Sequence, residues 1–164
     1  LNTARYSLIK EVKSMLNIPV IANGDIDSPE KAKYVLDFTG ADAIMIGRAA
    51  QGRPWIFREI AHYLATGELL AAPSIAEVKK VLLGHLAELY EFYGEYSGCR
   101  ISRKHIAWYT KGLRSSNEFR QSMYQVESTA EQYKVVEDYF NQLLAHGEIM
   151  SDVQVEAVNL LDTK

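Results

Sequence analysis

The chain has 164 residues, 48% of them hydrophobic and 24% charged, with a formal net charge of −3. That balance excludes a disordered polymer and leaves room for one ordinary domain or two small ones. The small negative charge excludes a protein that grips nucleic acid with its whole surface, and a lone cysteine, Cys99, excludes an intrachain disulfide or a thiolate metal cluster.

No apolar run reaches membrane-spanning length, and the opening Leu1-Asn2-Thr3-Ala4-Arg5 has neither an initiator Met nor an apolar signal core. The chain therefore reads as cytoplasmic and as starting inside a longer protein. His62, His85, His105 and His146 show no metal-ligand spacing, so no metal is expected.

Leu8, Ile9, Val12, Met15 and Leu16 recur at helical spacing and predict a first helix with one face turned inward. Ile18-Pro19-Val20-Ile21-Ala22 is an unbroken apolar run, suited to a strand buried on both faces of a parallel sheet, and it ends at Asn23-Gly24-Asp25. Ser28-Pro29-Glu30 supplies an N-cap, a proline for the first helical position and an acid for the first turn; that helix should run to about Thr39 and close on Gly40. A second run, Ala43-Ile44-Met45-Ile46, leads to Gly47-Arg48, and Pro54 should open a helix that ends near Gly67. Two parallel strands alone leave open edges, so residues 1–70 read as the last two βα units of a TIM barrel, prone to self-association through those edges.

Beyond Pro73 the strand signals stop. Ser74 with Glu77, Ser115 with Glu118, and Ser128 with Glu131 each show the S-x-x-E pattern that marks a helix start. Apolar residues step by three or four from Ile75 to Tyr93 and again from Val135 to Leu144, and a further helix is expected over about 100–114. Residues 71–146 thus read as a four-helix bundle, and 147–164 as an acidic, weakly apolar tail. The fold class is α/β plus all-α.

Both strand ends carry binding chemistry. Glycine lets a ligand approach the backbone closely, and arginine offers a forked donor that matches phosphate oxygens. In a (β/α)₈ barrel, the loops after the seventh and eighth strands often hold a phosphate. Asn23-Gly24-Asp25 and Gly47-Arg48 therefore read as a phosphate site, against the plainer alternative of a turn and a surface arginine.

Ile18 to Ile26, and then Ala41-Asp42-Ala43-Ile44-Met45-Ile46-Gly47-Arg48-Ala49-Ala50-Gln51-Gly52-Arg53-Pro54-Trp55-Ile56-Phe57, strongly resemble bacterial tRNA-dihydrouridine synthases, most closely the B type. The resemblance extends through Ser102-Arg103-Lys104-His105-Ile106-Ala107-Trp108-Tyr109 and covers roughly residues 1–145. It implies an FMN-dependent barrel with an appended tRNA-binding helical domain, in which Asn23, Gly24, Asp25, Gly47 and Arg48 hold the ribityl and phosphate portion of FMN. It also implies reduction of the C5–C6 bond of uridine in tRNA, with NADPH as reductant and a cysteine as proton donor. That cysteine belongs to an Asn-x-Gly-Cys-Pro type loop, and no such loop occurs in the 164 residues. Cys99 does not match it and reads as structural, so the chain alone is expected to be inactive and to contain no catalytic residue.

On a helix, Arg100, Arg103, Lys104, Lys111 and Arg114 fall within an arc of about 100°, opposite Ile106, Tyr109 and Leu113. Composition alone favours a solvated helix face; the resemblance turns the reading toward RNA phosphates, with His105 and Trp108 beside the stripe. Two further readings stay open: another FMN barrel that acts on a small substrate, and a non-enzymatic helical RNA-binding fragment.

Overall fold

A computed structural model describes residues 4–147, so all but the first residue of the expected tail lies outside the described residues. The chain divides into two compact units, Leu1–Ala71 and Ala72–Lys164. The described residues are mostly helical, with one small parallel sheet. No described helix is long and apolar enough to cross a membrane.

The first unit runs α1 (Tyr6–Met15), β1 (Ile21–Asn23), α2 (Pro29–Thr39), β2 (Ala43–Met45), a 3-10 turn (Arg48–Ala50) and α3 (Ile56–Thr66). β1 and β2 pair in parallel, with Ile21 opposite Ala43 and Asn23 opposite Met45. The intervening helix begins and ends as its residues dictate. The Ser28 hydroxyl accepts the Lys31 amide, Pro29 occupies the first turn, and Gly40 closes the helix in the left-handed conformation. Ahead of β2, the Asp42 carboxylate accepts both the Val20 amide at 2.7 Å and the Lys13 ammonium at 2.6 Å, which ties α1 and β1 to the second strand. These bonds hold its carboxyl below the usual range, Lys13 contributing most and Val20 next.

The core of this unit is Ala22, Ile26, Ala32, Val35, Ile56 and Ile60, with Tyr6 and Ala41 at its margin. Three expectations fail here. The strands are buried on one face only: Ala22 is fully enclosed, whereas Ile21 and Met45 are 62% and 50% exposed. Likewise α1 buries Tyr6 rather than its apolar stripe, and Leu8, Val12 and Met15 face outward. In both cases the small α2–α3 layer covers only one side of the sheet. Finally, Pro54 lies in a turn and α3 starts two residues later, at Ile56.

The second unit contains α4 (Ile75–Tyr109), α5 (Ser116–Met123) and α6 (Thr129–Ala145). α4 opens with a complete capping box: the Glu77 amide donates to Ser74 Oγ, and the Glu77 carboxylate accepts the Ser74 amide. At Gly94 the backbone leaves helical geometry, with φ 72° and ψ −179°. The chain then folds back on itself. A Cβ on Gly98 would stand 3.1 Å from Tyr90 Cα, and the rings of His85 and His105 meet at 4.8 Å. The expected helix over 100–114 is the returning arm of α4, and it stops at Tyr109.

Glu95, just past the reversal, accepts the Thr129 amide and hydroxyl and so caps α6 alongside Ser128, whose hydroxyl accepts the Glu131 amide. The third marked start departs from expectation. Ser115 sits at φ 51° and its side chain makes no capping bond, because the left-handed backbone turns it away from the N-terminal amides of α5. Phe140, Leu82, Leu86, Ile106, Met123 and Val136 form a fully buried core. Among them sits Gln132, whose amide donates to the Cys99 carbonyl while its oxygen accepts the Tyr90 hydroxyl. A buried side-chain amide satisfied in this way stabilises a unique packing.

Candidate functional site

At the end of β1 the backbone passes through Gly24 at φ 128° and Asp25 at φ 48°. Glycine is required at position 24 for a second reason: a Cβ there would lie 2.6 Å from that of Ala4. The Tyr6 hydroxyl donates to the Gly24 carbonyl at 2.6 Å, and the Ala4 amide donates to Asp25 Oδ2 at 3.2 Å. Burial, then the neighbouring Asp25 and Asp27 carboxylates, push the Tyr6 phenol upward, so it remains a donor. At the end of β2, Gly47 leads into the 3-10 turn, and a Cβ built on it would meet open space.

The two strand ends share one hollow of about 450 Å³. Asn23, Gly24, Asp25, Gly47 and Arg48 all line it, together with Ile26, Asp27, Met45 and Ala49. Across it, Arg48 Nη2 donates to Asp25 Oδ1 at 2.8 Å, and the Arg48 side chain is otherwise 78% exposed. One carboxylate thus holds the guanidinium over the hollow by one of its nitrogens. Its remaining N–H groups match an oxyanion, while Asp25 and Asp27 repel one; a ligand phosphate is favoured only within reach of Arg48. Nearby, Arg53 donates to the Asp27 carbonyl at 3.2 Å and to the buried Glu59 carboxylate at 2.7 Å. This pair has only a faint trace in the sequence, an arginine six residues before a glutamate on an otherwise apolar helix face.

The basic residues of the second unit do not form a single helical stripe. Thr110 ends α4, Gly112 adopts φ 82°, and Lys111 and Arg114 lie in the turn that follows. They leave the face carrying Arg100, Arg103 and Lys104 because the helix that would align them has ended. Ile106, Tyr109 and Leu113 are buried as expected. Arg103 is half-buried and donates to the Val126 carbonyl at 2.9 Å, so part of its role is to fasten the loop before α6 to α4. Arg100 and Lys104 are exposed, each lying over an aromatic ring, Tyr96 and Trp108 respectively.

His105 stands edge-on to both His85 and Trp108, at 4.8 and 4.9 Å. His85 was not singled out from sequence; its partnership with His105 depends on the reversal at Gly94. Burial lowers the affinity of both imidazoles for a proton, and His85 and Lys104 add to the effect on His105. Cys99 is buried, its Sγ lies 3.5 Å from the Val126 carbonyl, and burial pushes the thiol upward. Among the described residues no cluster of histidine, cysteine and carboxylate side chains is arranged to hold a metal.

These features belong to a known lineage: residues 1–144 match the dihydrouridine synthase (Dus) family, and the chain belongs to it. Within that family it is similar to tRNA-dihydrouridine synthase B of Shewanella oneidensis, 57% identical over 141 residues that cover 86% of this chain and 44% of that protein. The same protein of Vibrio vulnificus is 56% identical over 138 residues (84% of this chain, 43% of the relative), and that of Serratia marcescens is 53% identical over 146 residues (89% and 44%). The chain thus spans less than half the length of these relatives.

Proposed function

We propose that this chain contributes the cofactor-phosphate grip and a tRNA-facing helical unit to a cytoplasmic flavin-dependent tRNA-dihydrouridine synthase. In this reading residues 1–70 are the last two βα units of a TIM barrel, and residues 71–146 are a four-helix bundle that meets tRNA. The observation that carries the reading is the shared hollow at the two strand ends, lined by both Gly24 and Gly47, where Gly47 leaves open space and the Arg48 guanidinium is held by Asp25. These residues suit a phosphate monoester: Gly47 allows close approach and Arg48 supplies charge-assisted bonds from its free N–H groups.

Bound FMN would supply hydride transfer to the C5–C6 bond of a tRNA uridine, with NADPH restoring the reduced flavin. The chain's own residues have the tasks of binding and positioning. Asn23, Gly24, Asp25, Gly47 and Arg48 are assigned to the ribityl-phosphate. Arg100, Arg103, Lys104, His105, Lys111 and Arg114 are assigned to RNA, the exposed Lys104 and Arg100 as phosphate contacts and His105 through its ring edge. The 164 residues alone are proposed to be inactive in uridine reduction, since their lone cysteine is enclosed in the second unit with a raised thiol pKa.

Titration of the chain with FMN, followed by flavin fluorescence, and with tRNA at two salt concentrations tests both halves of the reading. Saturable FMN binding that inorganic phosphate competes away supports the grip; binding of neither FMN nor phosphate sinks it. A tRNA affinity that falls as salt rises supports the helical assignment, and no tRNA binding at low salt removes it.

A further inference from the structure

The loop that follows β1 carries Asp25, which holds Arg48, yet it is itself held by an arginine from a later turn. Arg53 Nη1 donates to the Asp27 carbonyl at 3.2 Å, while Arg53 Nη2 meets Glu59 Oε2 at 2.7 Å. Glu59 is only 5% exposed, an unusual place for a carboxylate unless it is paired. The Arg53 side chain is about two-thirds covered, and its Nε is buried without a hydrogen-bond partner. A guanidinium so confined has little freedom to swing away, and its fork fixes the direction of both bonds at once.

We infer that Arg53, anchored by the buried Glu59, is a positioning residue that sets the phosphate-binding loop at residues 24–27. The inference rests on the proposed FMN grip and adds a residue that does not line the hollow. The chain of contacts runs from Glu59 through Arg53 to the Asp27 carbonyl, and along the loop to Asp25 and Arg48. Its opposite end is pinned by the Tyr6 hydroxyl on the Gly24 carbonyl. With both ends fixed, the Asp25 carboxylate stands where it orients Arg48; with the Asp27 end released, Arg48 loses a fixed partner and the phosphate its oriented donor. Lysine cannot replace Arg53, because a single ammonium on a flexible stem does not span a carbonyl and a carboxylate in a fixed fork.

The test compares FMN with riboflavin, which has the same ring and ribityl chain but no phosphate, in the unsubstituted chain and in Arg53→Lys and Glu59→Leu. The unsubstituted chain should prefer FMN. Both variants should lose most of that preference, about tenfold or more, with riboflavin affinity changed less than about twofold and the far-ultraviolet circular dichroism unchanged. Equal losses for both flavins would make the pair merely structural and overturn the inference, as would an unchanged preference in a folded variant. The double variant Arg53→Met/Glu59→Leu removes both charges together, leaves neither buried without its partner, and carries the comparison if a single variant fails to fold. If the unsubstituted chain shows no preference for FMN, the cofactor reading and this inference fall together. A preference retained in both variants removes the inference alone.

Discussion

The two units of this chain solve the burial problem differently. The second encloses Phe140, Leu82, Leu86, Ile106, Met123 and Val136 completely and satisfies the polar Gln132 among them. The first has a smaller interior built around Ala22, Ala32, Val35 and Ile56, and leaves Ile18, Ile21, Met45, Met15 and Leu69 exposed. Its loops are tied by side chains: Asp42 to Val20 and Lys13, Tyr6 to Gly24, Arg48 to Asp25, and Arg53 to Asp27 and Glu59. Hydrophobic burial carries the stability of the helical unit, whereas hydrogen bonds define the geometry of the strand-end unit.

The sharpest way to break that contrast is to truncate an enclosed side chain of the second unit and an uncovered strand residue of the first. Phe140→Ala should destabilise the second unit by about 3–5 kcal/mol, whereas Ile21→Ala should cost the first less than about 0.5 kcal/mol. Denaturant titration read through Trp108 and Trp55, which report on one unit each, measures both. Comparable losses would end the distinction. At the hollow, Arg48→Ala should weaken FMN about 10–100-fold, the equivalent of a lost charge-assisted bond, while leaving the melting of the unit unchanged. Flavin fluorescence and thermal denaturation give the two numbers.

Smaller effects sharpen the helical side. Ser74→Ala removes half of the capping box and should cost about 1 kcal/mol, measured by the same denaturant titration. Lys104→Ala should leave stability unchanged and reduce the slope of log affinity for tRNA against log salt by about 0.7–0.9, the share of one phosphate contact. Arg103→Ala should instead lower the melting temperature, because the Val126 carbonyl loses its charged donor and keeps only the weak Cys99 thiol. The smallest effect is one of pH. His85 and His105 have proton affinities lowered on folding, so the unfolded chain takes up protons first. The stability they contribute is complete above the unfolded histidine pKa, near 6.5, and is lost as pH falls through that value toward their folded ones. A melting temperature that falls between pH 7 and pH 5, with the decline flattened in His105→Phe, is the expected record.

Local chemistry was legible wherever it is short-range. Ser28, Pro29 and Gly40 bound α2 as read, and the Ser74 box opens α4. The five residues picked at the two strand ends lie around one hollow, since paired parallel strands bring their carboxyl ends together. What escaped was set by distant neighbours. An apolar run does not say whether a second layer will cover it, so Ile21 was assigned to the wrong environment. Helical periodicity past Arg100 continues on paper through Lys111 and Arg114, but α4 stops at Tyr109 and Gly112 takes the left-handed conformation just beyond it. The His85–His105 pairing required knowing that α4 doubles back.

That reversal has a consequence for how the chain tolerates change. One residue, Gly94, performs the whole about-face, so the arms on either side have no spare links between them. Inserting or deleting a single residue in the returning arm would turn everything after it by about 100° and shift it by about 1.5 Å. A change before Gly98 would put a bulkier residue in its place against Tyr90, and one before His105 would swing that ring off His85. Insertions and deletions in this helical pair should therefore be tolerated at its outer ends and not between Tyr90 and His105, where a one-residue change should lower the melting temperature of the unit.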